Sequence, residues 1–179
     1  MLDKDDFKEM QIELKAADER REHTIQLSRD IIKESKLVIY AIHRGDKPSL
    51  DKIKSMVTKL NREHATGIEK TAMQEYVEAA CFYHFVFDKK LPTRIELKVD
   101  TESYLLGVCD LTGELMRKAV KDVIEGRKEN ALGITKVVEE IYGEFLQFDL
   151  RNGELRKKSD SIKWNLQKLE QLSLDISKN

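Results

Sequence analysis

The chain is predicted to be all-α: a single domain over residues 1–179, built as a bundle of about six long helices. Three observations carry this. Charged residues make up 36% of the chain, Pro occurs twice and Gly eight times, which is the composition of long solvated helices and not of a sandwich or barrel. Apolar residues recur at helical spacing in one segment after another. The few Gly, Pro and Asn-Gly positions fall between those segments, where they act as stops.

The first helix is expected from about Asp5 to Arg44. Its apolar stripe comprises Phe7, Leu14, Ala17, Ile25, Ile32, Val38, Ile39 and Ile42, close enough to helical spacing for one buried face. The middle, Ala17 to His23, is almost wholly charged and belongs at the surface. Gly45-Asp-Lys-Pro-Ser49 ends the helix, with Gly at the stop and Pro just beyond. A second helix spans about Leu50 to His64, with Ile53, Val57 and Leu60 inward, and Gly67 is the break after it.

The third helix spans about Ile68 to Phe87, and Lys89-Lys-Leu-Pro-Thr93 turns the chain. Arg94 to Val99 is either one helical turn or an extended link. Asp100 or Thr101 can cap a fourth helix that runs to about Glu125. After the loop Gly126-Arg-Lys128, a fifth helix spans about Glu129 to Phe148, and Leu150-Arg-Asn-Gly153 forms a tight turn. The last helix, Glu154 to about Ser177, carries Leu155, Ile162, Leu166, Leu169, Leu172 and Ile176 in a heptad-like seam. The chain's own helices could bury that seam, or a second copy could.

Composition also excludes some classes. The formal net charge of −1 gives no global basic field, although local patches fit under such a total. Cys81 and Cys109 lie in apolar helical runs and read as small core residues, with no CxxC pattern and no zinc-like His–Cys spacing. The start, Met1 to Phe7, is acidic and unlike a signal peptide. No apolar run approaches the roughly 20 residues that span a bilayer. A reducing, cytoplasmic setting without membrane attachment is expected.

Glu75 and Glu78 stand out. Between Thr71 and Phe87 they are the only side chains expected to be charged at pH 7, His84 being undecided. A carboxylate in apolar surroundings costs several kcal/mol (roughly) unless paired, and no Lys or Arg is supplied nearby in sequence. At about 100° per residue, Glu75 falls beside Ala72, Ala79 and Phe82, and Glu78 beside Phe82 and Phe85. The two are surface neighbours whose charges repel. Asp110 and Glu114, four apart on the fourth helix, share a face flanked by Gly107 and Gly113, where another helix or a ligand can approach closely.

Packed together, the two helices would offer four carboxylates, a hard all-oxygen set suited to Mg²⁺ or Mn²⁺. His84 faces elsewhere, so no di-iron Glu-x-x-His pattern is formed. Salt bridges are the competing explanation: Glu114 with Arg117 or Lys118, Asp110 with Arg117, and Glu75 and Glu78 with Arg or Lys from the first helix.

Three segments resemble the translin family, nearest its translin-associated factor X branch. They are Leu27-Ser-Arg-Asp-Ile-Ile-Lys-Glu-Ser-Lys36 with His43-Arg44, Gln74-Glu-Tyr-Val-Glu-Ala79, and Tyr104-Leu-Leu-Gly-Val-Cys-Asp-Leu-Thr-Gly-Glu-Leu-Met-Arg117. The run Phe148-Asp-Leu-Arg-Asn-Gly-Glu-Leu-Arg-Lys-Lys-Ser-Asp160 looks more like translin itself, as a single-gene prokaryotic relative serving both roles would. The resemblance implies an all-α fold, octameric shells enclosing single-stranded nucleic acid, and Mg²⁺-dependent endoribonuclease activity. It implies that Glu75, Glu78, Asp110 and Glu114 are the catalytic, metal-binding acids. The stretch between the acidic helices is shorter than in the branch pattern. The His-rich binding stretch of translin has no clean match, although Arg62-Glu-His64 lies near that region.

The expected function is therefore Mg²⁺-dependent (or Mn²⁺-dependent) cleavage of single-stranded RNA by a homo-oligomer. Arg20, Arg21, Arg29, Lys36, Arg44, Arg151, Arg156 and Lys157 are candidates for phosphate contacts. Few free aromatics are expected for base stacking. The alternatives are a non-catalytic shell that binds single-stranded RNA or DNA, and a structural helical adaptor whose acids are buried salt bridges. Basic head groups filling the space between the acidic helices would undercut the metal site.

Overall fold

The computed structural model describes residues 2–60 and 67–178. Among them are seven helices and no strand: α1 (Lys4–Arg44), α2 (Asp51–Lys59), α3 (Ile68–Asp88), α4 (Arg94–Leu97), α5 (Thr101–Ile124), α6 (Lys128–Phe145) and α7 (Glu154–Lys178). Six match the expected long elements. Arg62, His64 and the expected end of the second helix lie outside the described residues.

Local chemistry sets the boundaries. The Asp3 carboxylate accepts the N–H groups of Asp5 and Asp6, and Gly45 closes α1 at φ 94°, a left-handed geometry that glycine adopts without steric cost. The ambiguous Arg94–Val99 segment begins with a helical turn because Thr93 and Glu96 form a reciprocal capping box. The Asp100 carboxylate accepts the Ser103 N–H at 2.9 Å and starts α5. The helix expected to reach Phe148 stops at Phe145, where the chain turns.

α1 packs on α2 and α3, α3 on α5, and α5 on both α6 and α7, which pack on each other. Cys81 and Cys109 are free thiols in this core, and burial pushes Cys81 up to about 12. The α7 seam is closed within the chain: Ile162, Leu166 and Leu169 are buried, and Leu155, Leu172 and Ile176 pack at its margin.

One expectation fails. Phe7 and Leu14 do not join the buried face; they are 46% and 69% exposed. At 1.5 Å per residue the 41-residue α1 is about 60 Å long, roughly twice the length of the 21-residue α3 beside it. Burial on α1 therefore begins only at Thr24, and among the described residues its N-terminal half is left largely uncovered. No helix of the described residues is long and apolar enough to cross a membrane.

Candidate active site

Gly107 is what lets the two acidic helices meet. A Cβ there would stand 2.6 Å from the Val77 side chain and 2.8 Å from the Gln74 carbonyl oxygen, closer than real side chains pack. Val77 faces Gly107 while Gln74 reaches Asp110, so α3 and α5 run antiparallel in tight contact. Gly113 has no such role, because an added Cβ would meet only Asn165 at an ordinary 3.8 Å.

This approach brings all four predicted acids to one cleft of about 470 Å³. Glu75, Glu78, Asp110 and Glu114 line it together with Lys36, Ile39 and Tyr40 of α1 and Arg117 of α5. Glu78 lies deepest, 9% exposed. Burial, then the charges of Asp110, Glu75 and Glu114, push its carboxyl up to about 8, with Lys158 opposing. Glu78 therefore holds a proton at neutral pH.

The other three acids each have a protein partner. Lys158 of α7 donates to both oxygens of Asp110 at 2.9 and 2.7 Å, and the Gln74 amide donates to the same carboxylate. Lys36 Nζ stands 3.5 Å from Glu75. His43 Nε2 donates to Glu114 at 2.5 Å, and Arg117 lies 3.6 Å from the same oxygen. An ionised carboxylate only accepts, so the proton sits on Nε2. His43 Nδ1 is buried without a hydrogen-bond partner. The His43 bond, reinforced by Arg117 against partial burial, holds Glu114 below the usual carboxylate range.

Basic head groups reach three of the acids, and two of these pairs are salt bridges weighed above: a first-helix lysine, Lys36, with Glu75, and Arg117 with Glu114. Other expectations are corrected. Asp110 pairs with Lys158, not Arg117, because α7 lies directly against α5. Lys118 bonds Asp122 one turn on and leaves Glu114 to His43 and Arg117. No group of three or more His, Cys, Asp or Glu side chains among the described residues is arranged to hold a metal ion as it stands. His84 is occupied away from the cleft by Asp88 at 2.5 Å.

Of the predicted phosphate-binding residues, two stand by the cleft. Lys36 lines it, and Arg44 lies over the Tyr40 ring, 5.2 Å from its centroid. Arg20, Arg21 and Arg29 are exposed nearer the N-terminus of α1. Arg151, Arg156 and Lys157 are exposed around the start of α7, where Arg156 lines a separate cleft of about 290 Å³. Sequence reasoning passed over Gln74, Tyr40 and Lys158 and gave His43 no role. An imidazole beside Ile42 on an apolar stripe was a legible signal for His43. Lys158, one cation in a basic run, had none.

The translin family model matches residues 19–177. This chain belongs to the translin family. An uncharacterised protein of Methanocaldococcus jannaschii is 33% identical over 167 residues, which cover 84% of this chain and 73% of that protein. Translin-associated protein X of Mus musculus is 30% identical over 92% of this chain and 74% of its own length. Human translin matches a shorter stretch, 35% identical over 44% of this chain and 35% of its own length. The crystal structure of apo-NeC3PO superposes with a TM-score of 0.87 at 29% identity, covering 97% of each chain. AfC3PO, solved in complex with duplex RNA, shares the fold at a TM-score of 0.79 and 24% identity, over 94% of this chain and 95% of its own.

Proposed function

We propose that this translin-family chain is a metal-dependent endoribonuclease acting on single-stranded RNA, with Mg²⁺ or Mn²⁺ as its cofactor. The observation that carries the reading is Glu78. Among the described residues it is the one cleft acid without a cation at ion-pair distance, and three other carboxylates surround it. Four oxygen donors crowded until one must protonate are a donor set that a hard divalent cation relieves.

Glu75, Glu78 and Asp110 would hold the ion, and Glu114 would be a further ligand or the group that orients the attacking water. Bound there, the cation lowers the pKa of water and neutralises charge on the phosphate. The chain supplies the rest. Glu78 gives up its proton. Gln74 keeps Asp110 aimed into the cleft, and His43 does the same for Glu114. Lys36 and Lys158 are long side chains that can leave their carboxylates without backbone motion, and Lys36, 64% exposed, is free to meet a phosphate. The active form is a homo-oligomer, expected to be an octamer in the cytoplasm, and the uncovered apolar residues Phe7, Met10 and Leu14 of α1 are suited to contact between copies.

The test is cleavage of labelled single-stranded RNA, with duplex RNA and single-stranded DNA alongside, in Mg²⁺ and then in EDTA. Metal-dependent cutting of the single strand is expected. It should be abolished by Glu75→Ala or Asp110→Asn with the far-ultraviolet circular dichroism unchanged. The protein partners already on three acids favour a second reading, a non-catalytic nucleic-acid-binding shell. Tight binding without cutting in any metal would establish that reading. A monomer that binds nothing would leave only a structural adaptor.

A further inference from the structure

The wall of the acidic cleft contributed by α1 carries a feature that acid chemistry does not use. Tyr40 lines the cleft yet is 55% exposed, while its neighbours Val38 and Ile39 are buried in the core. It sits midway between the two contacts that anchor α1 there, Lys36 to Glu75 on α3 and His43 to Glu114 on α5. Its ring stands at the lip of the cleft. Lys36 and Arg44 flank it one turn away on either side along the same helix face. Arg44, anchored in turn by Asp46 at 2.8 Å, lies over the ring. Across the cleft stands Arg117.

The ionised acids of the cleft, Glu75, Asp110 and Glu114, offer a polyanion no attraction of their own. A strand presented to them must be held by what borders them, and the border here is three cations around one aromatic ring. Among the described residues Tyr40 is the only aromatic side chain that lines this cleft. Base-on-aromatic stacking tolerates any sequence because every base has a π-face, and an arginine beside the ring adds to it.

We propose that Tyr40 is a base-stacking platform that seats a nucleotide beside the phosphate presented to the acids, with Lys36, Arg44 and Arg117 bracketing the backbone. This inference rests on the nucleic-acid reading above. A single ring at the cleft accords with the expectation of few free aromatics. Tyr40 is a positioning residue, and none of the four acids depends on it.

The experiment measures the affinity of the full-length protein for a short fluorescent single-stranded RNA in EDTA, where no cutting occurs, and for the same oligomer with abasic positions. Tyr40→Leu should weaken binding to the base-bearing strand by roughly tenfold. It should leave binding to the abasic strand within about twofold, as expected for a contact made to bases and not to phosphates. Tyr40→Phe, which keeps the ring, should bind like the unaltered protein. In Mg²⁺, Tyr40→Leu should raise KM by a similar factor with kcat changed far less. Equal affinity of the Tyr40→Leu and unaltered proteins overturns the platform while leaving the nuclease reading intact. So does equal weakening on both strands, or a changed assembly mass in analytical ultracentrifugation, which would place Tyr40 between subunits. If the unaltered protein binds neither strand, the platform falls together with the nucleic-acid reading.

Discussion

Lys158 holds Asp110 through both carboxylate oxygens, at 2.9 and 2.7 Å, across the contact between α7 and α5. The ammonium stands where a cation competing for the acids would have to act. Lys158→Met should cost about 1–2 kcal/mol of stability in EDTA, because Asp110 loses a charge-assisted pair in a half-buried site. It should tighten Mg²⁺ by roughly fivefold, since one competing positive charge is gone. Chemical denaturation in EDTA and calorimetric titration with Mg²⁺ measure the two effects. Weaker Mg²⁺ binding by the variant would show that Lys158 supports the ion and does not compete with it.

Glu78 predicts a pH dependence of stability whose direction follows from its environment. Burial and three neighbouring acids raise its pKa from 4.5 to about 8 in the folded chain. The folded state therefore holds this proton more tightly than the unfolded one. The stabilisation is complete below about pH 4.5 and is lost as pH rises through about 8. Glu78→Gln should remove that slope. Above pH 8 it should exceed the unaltered protein in stability by something on the order of 5 kcal/mol, and near the acid end of the window the two should converge. Urea denaturation across this range is the measurement. Mg²⁺ binding near neutral pH should release close to one proton (about one, from the displaced Glu78 proton), readable as a dependence of calorimetric heat on buffer ionisation enthalpy.

Gly107→Ala should separate the acidic helices. Its Cβ would fall 2.6 Å from Val77 and 2.8 Å from the Gln74 carbonyl, and a backbone carbonyl cannot swing aside. A loss of about 1–3 kcal/mol is expected from overpacking, together with weakened Mg²⁺ binding because Gln74 and Asp110 are pulled apart. Gly113→Ala is the control: Gly113 lies inside α5 with only Asn165 at 3.8 Å, so the change should stabilise by up to about 1 kcal/mol through helix propensity. Thermal denaturation ranks the two variants, and equal effects would contradict the close approach at Gly107.

Asp122 should matter to stability and not to cleavage. It is fully buried and accepts from Lys118 at 2.7 Å and from Arg127 at 2.9 and 2.6 Å, tying α5 to the start of α6. Burial alone would raise its pKa, but the hydrogen bonds and charges of Lys118 and Arg127 outweigh it and hold the group below 3.8. Its contribution is present above pH 3.8 and is lost as pH falls through the lowered value. Asp122→Ala should cost about 3–5 kcal/mol, mostly because Lys118 is left without its partner. Per folded molecule, RNA cleavage should be unchanged, and a kinetic assay on the soluble fraction checks this.

Much of the fold was legible in the chain, and so was the list of acids. Helix positions, the Gly45 stop and the Asp100 cap follow from local spacing and capping chemistry, which act over a few residues, whereas only the packed helices decided that the α7 seam closes within the chain. Glu75 and Glu78 were conspicuous because so few polar residues surround them between Thr71 and Phe87. Two partners of the acids were among the salt bridges the chain suggested, a first-helix lysine (Lys36) for Glu75 and Arg117 for Glu114; the other two were not legible. Lys158 lies 48 residues from Asp110, and His43 lies 71 from Glu114. No local pattern connects such distant positions. Phe7 and Leu14 were misassigned for the opposite reason: their spacing fits a buried stripe, but burial also needs a neighbour, and α1 outruns its neighbours.

From the order of residues alone came the helices, the positions of their caps and the pairing of acids on two helix faces, since a helix is set by interactions within a turn or two. Only the packed structure decided how those faces meet. The missing Gly107 side chain allows α3 and α5 to touch, and Glu78, buried beside like charges, keeps its proton. The same packing chose Lys158, Lys36 and His43 as partners and left the Tyr40 ring uncovered at the cleft mouth. Such outcomes depend on distances between atoms far apart along the chain, and those distances exist only once the helices have assembled.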